Sequence, residues 1–121
     1  MVKALLDTSI LIDYLRGIPA ARDEINLYTA KAISIVTWTE VMIGAPVSAE
    51  PATRDFLGGL TLIELDQAVA ARAVILRRAH RLTLRAAIVW ASAQVHAMLL
   101  VTRDGKSFPG GEPGVRIPYR I

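Results

Sequence analysis

The chain has 121 residues, no cysteine, a formal net charge of +3 and 53% hydrophobic residues. A single domain over residues 1–121 with its own core is expected, and the lack of cysteine excludes a disulfide framework, a thiolate zinc site and a cysteine nucleophile. No apolar run reaches the length of a secretory core or a membrane span, so a cytoplasmic protein that stays off the membrane is expected.

Residues 3–6 form a short apolar run ending at Asp7 and read as a buried strand. Ile10, Leu11, Tyr14 and Leu15 then follow at helical spacing until Gly17 and Pro19 stop the pattern. A second helix is expected over about residues 20–30, and a second strand over residues 32–36. A short helix follows from Thr37 to Gly44, and another over residues 49–58. Residues 60–65 read as a strand. Asp66 is placed to cap a helix with Val69, Ala73, Leu76 and His80 on one face. Residues 84–97 are apolar nearly all round, the pattern of a core helix. The strand 98–102 runs into the loop at Arg103 to Lys106. A glycine-rich loop and a last strand over residues 115–117 close the chain.

Strands alternating with helices imply an α/β domain, with a mainly parallel central sheet flanked by helices on both faces. Such sheets bind ligands beyond the carboxyl ends of their strands. Asp7, Glu40 and Asp104 each follow a strand, so three carboxylates are expected at one edge. Carboxylates without cysteine suit hard divalent cations, and metal-assisted hydrolysis of a phosphodiester is the corresponding reaction class. Each acid also has a structural alternative. Asp7 is placed to cap a helix, Thr37 and Glu40 have capping-box spacing, and Asp104-Gly105 is a turn pair. Residues 67–103 contain no acid but hold Arg72, Arg77, Arg78, Arg81, Arg85 and Arg103. This stretch reads either as a track for a nucleic-acid backbone or as a solvated helix face. His80 and His96 read as partly buried packing residues. Trp90 reads as core, and Trp38 is open between core and base stacking.

Leu-Leu-Asp-Thr-Ser-Ile-Leu-Ile-Asp-Tyr-Leu-Arg-Gly at residues 5–17 resembles the opening of VapC-type toxins of the PIN-domain ribonuclease family. Residues 33–44, Leu99 to Asp104 with Lys106 and Phe108, and Pro113 to Tyr119 resemble later motifs of that family, in order along the chain. The resemblance implies a PIN-like fold, endoribonuclease activity dependent on Mg²⁺ or Mn²⁺, a VapB-type antitoxin partner and a homodimer. It assigns Asp7, Glu40 and Asp104 as metal-binding catalytic acids, with Thr8 and Thr102 orienting ligands beside them. Within the acid-free basic stretch, Arg77, Arg78, Arg81 and Arg85 are the expected contacts to RNA. Ser9 is expected to serve capping and packing, and Ile12, Tyr14 and Leu15 read either as a face for an antitoxin or a second copy or as core packing.

The sequence departs from the family at one catalytic position. The family's further Asp, in a Leu-Pro-Asp-Ala context, falls on Ala86 within Leu84-Arg85-Ala86-Ala87, and a more variable acid falls on Ser107. Loss of a carboxylate at 86 removes one ligand and one negative charge, so weaker metal binding and impaired hydrolysis are expected. The intact remainder favours a deliberately silenced nuclease over natural divergence, and restoring Asp at 86 is expected to restore cleavage. The alternative is a PIN module that binds antitoxin or RNA without cutting. A haloacid-dehalogenase-like phosphatase is disfavoured, because its second Asp would fall on Ser9.

Overall fold

A computed structural model describes residues 2–121. Strand β1, Lys3–Leu6, is followed by helices α1, Thr8–Leu15, and α2, Pro19–Ile25. Strand β2, Ala30–Ser34, leads into α3, Ile35–Gly44. A short 3₁₀ turn, Val47–Ala49, precedes α4, Glu50–Gly58. Next come β3, Thr61–Ile63, α5, Gln67–His80, α6, Leu84–Val95, β4, Leu99–Val101, and β5, Val115–Arg116.

The strands pair in the order β3-β2-β1-β4-β5, and every pairing is parallel. Alternation along the strands divides the core in two. Leu5, Ala32 and Leu100 pack with Val69, Leu76, Val89 and Trp90 from α5 and α6. Ala4, Leu6, Ile33 and Val101 pack with Ile10, Ile25, Val41 and Leu57 from α1 to α4. Helices therefore cover both faces, and the central strands are apolar on both sides, as expected of buried parallel strands.

Local chemistry sets the ends of the elements. α1 stops at Gly17, whose φ of +79° is the left-handed conformation that favours glycine, and whose N–H bonds the Tyr14 carbonyl. Asp66 caps α5 by accepting from the Val69 N–H at 2.9 Å, and Thr83 caps α6 by accepting from the Ala86 N–H at 3.2 Å. The boundary between β2 and α3 differs from the sequence reading. Ile35 and Val36, read as strand because they are β-branched, lie in the helix, because the Ser34 hydroxyl accepts the Val36 N–H at 3.1 Å and starts it there. α2 is shorter than expected, ending at Ile25. His80 and His96 are both exposed rather than partly buried, with His80 lying against Trp90 at a centroid distance of 4.9 Å. Trp90 is in the core, as its place in α6 predicts, and Trp38 packs partly buried on the α1 to α4 side, with Arg54 over its ring.

Candidate active site

Because all strands run parallel, their carboxyl ends share one edge of the sheet, and the residues just beyond them meet there. Asp7 leaves β1 with its N–H bonded to the Val101 carbonyl of β4, which fixes its position between the two strands. It stands at the N-cap of α1 but makes no side-chain capping bond. Its carboxylate, 1% exposed, turns to other partners. Oδ2 accepts from the Thr102 hydroxyl at 2.8 Å, and Oδ1 accepts from Arg85 Nη2 at 2.8 Å.

Glu40 reaches the same place from within α3. Its Oε1 accepts from the Thr8 hydroxyl at 2.7 Å, from Arg85 Nη2 at 2.9 Å and from Arg85 Nε at 3.2 Å. Thr8 also lies 3.1 Å from the Thr37 hydroxyl and accepts from Arg85 Nη2 at 3.2 Å. The Thr37–Glu40 capping-box alternative does not hold. Ser34 is the cap, Thr37 is buried inside the helix, and Glu40 faces the pocket.

Asp104 stands one step further out. The Thr102 hydroxyl that donates to Asp7 accepts the Asp104 N–H at 3.0 Å, so one hydroxyl ties the two segments together. Asp104 Oδ1 accepts the N–H groups of Lys106 and Ser107 at 3.2 and 3.1 Å, the local turn foreseen as the alternative role of Asp104-Gly105. Burial works against its charge. Ser107, the N–H of Lys106 and the Arg85 guanidinium outweigh it and hold the carboxyl below the ordinary aspartate range. Ser9 is drawn into the same corner, accepting the Arg103 N–H at 3.1 Å, rather than capping α1.

Arg85 is where the structure parts most from the sequence reading. Expected on an RNA track with Arg77, Arg78 and Arg81, it instead turns inward and bridges Asp7 and Glu40. The other three are exposed around the C-terminal end of α5 and the turn after it. Burial disfavours the guanidinium's charge, but Asp7 and then Glu40 more than compensate, and Arg85 is held more firmly protonated than a free arginine. Ala86, the next residue, is fully buried in the third position of α6.

These residues, as they stand, do not fit a divalent cation. Mg²⁺ and Mn²⁺ need several oxygen ligands around one point. The two converging carboxylate oxygens already carry a guanidinium, Asp104 spends Oδ1 on its own loop, and position 86 offers a methyl group. Among the described residues no three His, Cys, Asp or Glu side chains come close enough to share a metal.

Two further ion pairs went unseen in the sequence. Arg103 grips Asp13 with Nε at 2.5 Å and Nη2 at 3.0 Å, and the Tyr119 hydroxyl donates to Asp13 at 2.8 Å. Arg116 grips Glu24 at 2.7 and 2.9 Å, with Tyr28 donating at 2.7 Å. A carboxylate at position 13, among Ile10, Leu11 and Tyr14 on a helix that must bury that side, was the available signal.

Residues 4–109 match the PIN domain family model. A chain of a toxin–antitoxin complex from Klebsiella pneumoniae is 42% identical, with a TM-score of 0.94 over 98% of this chain and 100% of that one. VapBC2 from Rickettsia felis bound to a promoter DNA fragment is similar in fold, at 18% identity and a TM-score of 0.78 over 100% and 99% of the two chains. DNA-bound VapBC from Salmonella typhimurium is similar at 22% identity and a TM-score of 0.73 over 96% of each chain. No curated protein matches the sequence. A match to the PIN model over most of the chain, together with a close relative over nearly all of it, places this chain in the PIN-domain family, where it resembles the VapC-type toxins.

Proposed function

We propose that the chain is the toxin partner of a type II toxin–antitoxin pair. It is built on an RNA-cleaving scaffold whose catalytic centre is disabled in this sequence. The observation that carries the reading is the Arg85 bridge between Asp7 and Glu40, next to an alanine where the family's further acid would stand. The proposed cofactor of the intact centre is Mg²⁺ or Mn²⁺, held by Asp7, Glu40 and Asp104 together with an Asp at position 86.

In its present form the chain binds partners without cutting RNA. Arg77, Arg78 and Arg81 hold an RNA backbone through phosphate contacts, which makes binding salt-dependent. A VapB-type antitoxin lies against the partly apolar groove of about 400 Å³ between α1 and α3, lined by Ile12, Leu15, Val41, Ala45 and Pro46. Homodimerisation and a cytoplasmic location belong to the same reading. Among the described residues no helix is long and apolar enough to cross a membrane.

The test compares purified chain with Ala86→Asp on a mixed single-stranded RNA substrate in Mn²⁺. The chain as it stands leaves the RNA intact, and Ala86→Asp cuts it. Failure of both Ala86→Asp and Ala86→Asp/Arg85→Gln to cut any RNA, in folded proteins, would remove the nuclease lineage and leave the binding module.

A further inference from the structure

We propose that Arg85 is the resident cation of the acidic pocket. It excludes divalent metal by occupying the carboxylate oxygens a metal would need. The inference deepens the reading above, since it concerns the same pocket, but it makes a separate claim. With alanine at 86, the cation that balances the pocket is one the chain supplies itself, and an Asp at 86 would add the negative charge that lets a divalent cation displace it.

The geometry is that of a counter-ion, not of a surface ion pair. One nitrogen, Arg85 Nη2, sits 2.8 Å from Asp7 Oδ1, 2.9 Å from Glu40 Oε1 and 3.2 Å from the Thr8 hydroxyl. Three oxygens from β1's end, α1 and α3 thus surround one donor, an arrangement a small cation would share. Asp7 is almost wholly buried, so its charge needs a partner, and Arg85 supplies it. Two carboxylates against one guanidinium still leave a net negative charge, and Asp104 feels the same guanidinium at longer range. Without Arg85, Asp7 and Glu40 would face each other uncompensated, which is the condition under which a pocket takes up a cation. α6 places the side chain for this role. Arg85 is the second residue of the helix, Thr83 caps it, and the guanidinium reaches back to the strand ends.

The experiment measures Mn²⁺ binding by calorimetry, with no RNA present, on the chain and on Arg85→Gln, Arg85→Lys and Arg85→Gln/Asp7→Asn. Arg85→Gln gains Mn²⁺ affinity by about tenfold or more over the parent. Arg85→Lys keeps the charge and gains none, and adding Asp7→Asn abolishes the gain. Parent and Arg85→Gln binding Mn²⁺ equally, or a gain that survives Asp7→Asn, would overturn the proposal. Arg85→Lys keeps the test readable if Arg85→Gln folds poorly, because an increase in Mn²⁺ affinity there also contradicts a charge-based exclusion. The nuclease reading stands apart from this outcome, since it rests on RNA cleavage by Ala86→Asp.

Discussion

At the strand ends Arg85 serves two carboxylates, Asp7 and Glu40, through one shared nitrogen. Along α1, Arg103 serves a single carboxylate, Asp13, with two nitrogens, and Tyr119 completes the set. Both arrangements pair arginine with a carboxylate that is about 1% exposed. They differ in stoichiometry. A two-pronged grip on one acid is neutral and geometrically closed, so it serves to fasten the loop after β4 and the C-terminal segment onto α1. One guanidinium between two acids leaves a net negative charge around a single shared nitrogen. The first is a structural rivet, and the second is a site.

Substitutions should separate the two. The largest effect is expected from Arg103→Ala, which strands buried Asp13. Loss of one partner of a buried pair costs about 3–5 kcal/mol, and partial exposure of Arg103 reduces this to about 2–3 kcal/mol, measurable by urea unfolding. Metal should not recover the loss. Arg85→Gln is expected to cost less, about 1–2 kcal/mol, because the amide can still donate to the pocket, and Mn²⁺ should return part of it. Equal metal response in the two variants would erase the distinction.

Tyr119→Phe, which removes one hydroxyl from Asp13, is expected to cost about 1 kcal/mol in the same assay. Acid sharpens the comparison through the ion pair of Arg116 with Glu24. Arg116 chiefly holds the Glu24 carboxyl below its ordinary range, against burial and with help from Tyr28. The folded state therefore binds this proton less readily than the unfolded one. The stabilisation is present above the ordinary glutamate pKa and is lost as pH falls through the depressed value. Unfolding midpoints followed downward in pH should show this loss, and Arg116→Ala should flatten it. The smallest effect on stability is expected at Arg77→Ala, within about 0.5 kcal/mol for an exposed side chain. RNA affinity should nevertheless fall, with a salt slope lower by about 1.

The sheet, its helices and the acidic edge were legible in the sequence because they follow from periodicity and from where strands end. Leu5 and Leu6 face opposite cores by alternation alone, and Asp7, Glu40 and Asp104 follow β1, β2 and β4. What stayed hidden was the direction of long side chains. Arg85 and Arg81 look alike in a string of arginines. Only the reach of Arg85 from the start of α6 to Asp7, 78 positions earlier, separates a pocket cation from a surface charge. Asp13 and Glu24 were obscured for the same reason, since their arginines lie 90 and 92 positions away. The turn from β2 into α3 was misplaced because the Ser34 cap overrode the strand preference of Ile35 and Val36.

If Arg85 is the pocket's own cation, its guanidinium holds its place when metal is offered. The most direct measurement follows the Arg85 Nε–H resonance by NMR, assigned with Arg85→Lys, while Mg²⁺ is added. A guanidinium bonded to Asp7 and Glu40 predicts a resonance that stays where it is throughout the titration. A saturable shift toward the position of a free arginine, with Asp7 and Glu40 moving in step, would show metal taking its place and would contradict the account.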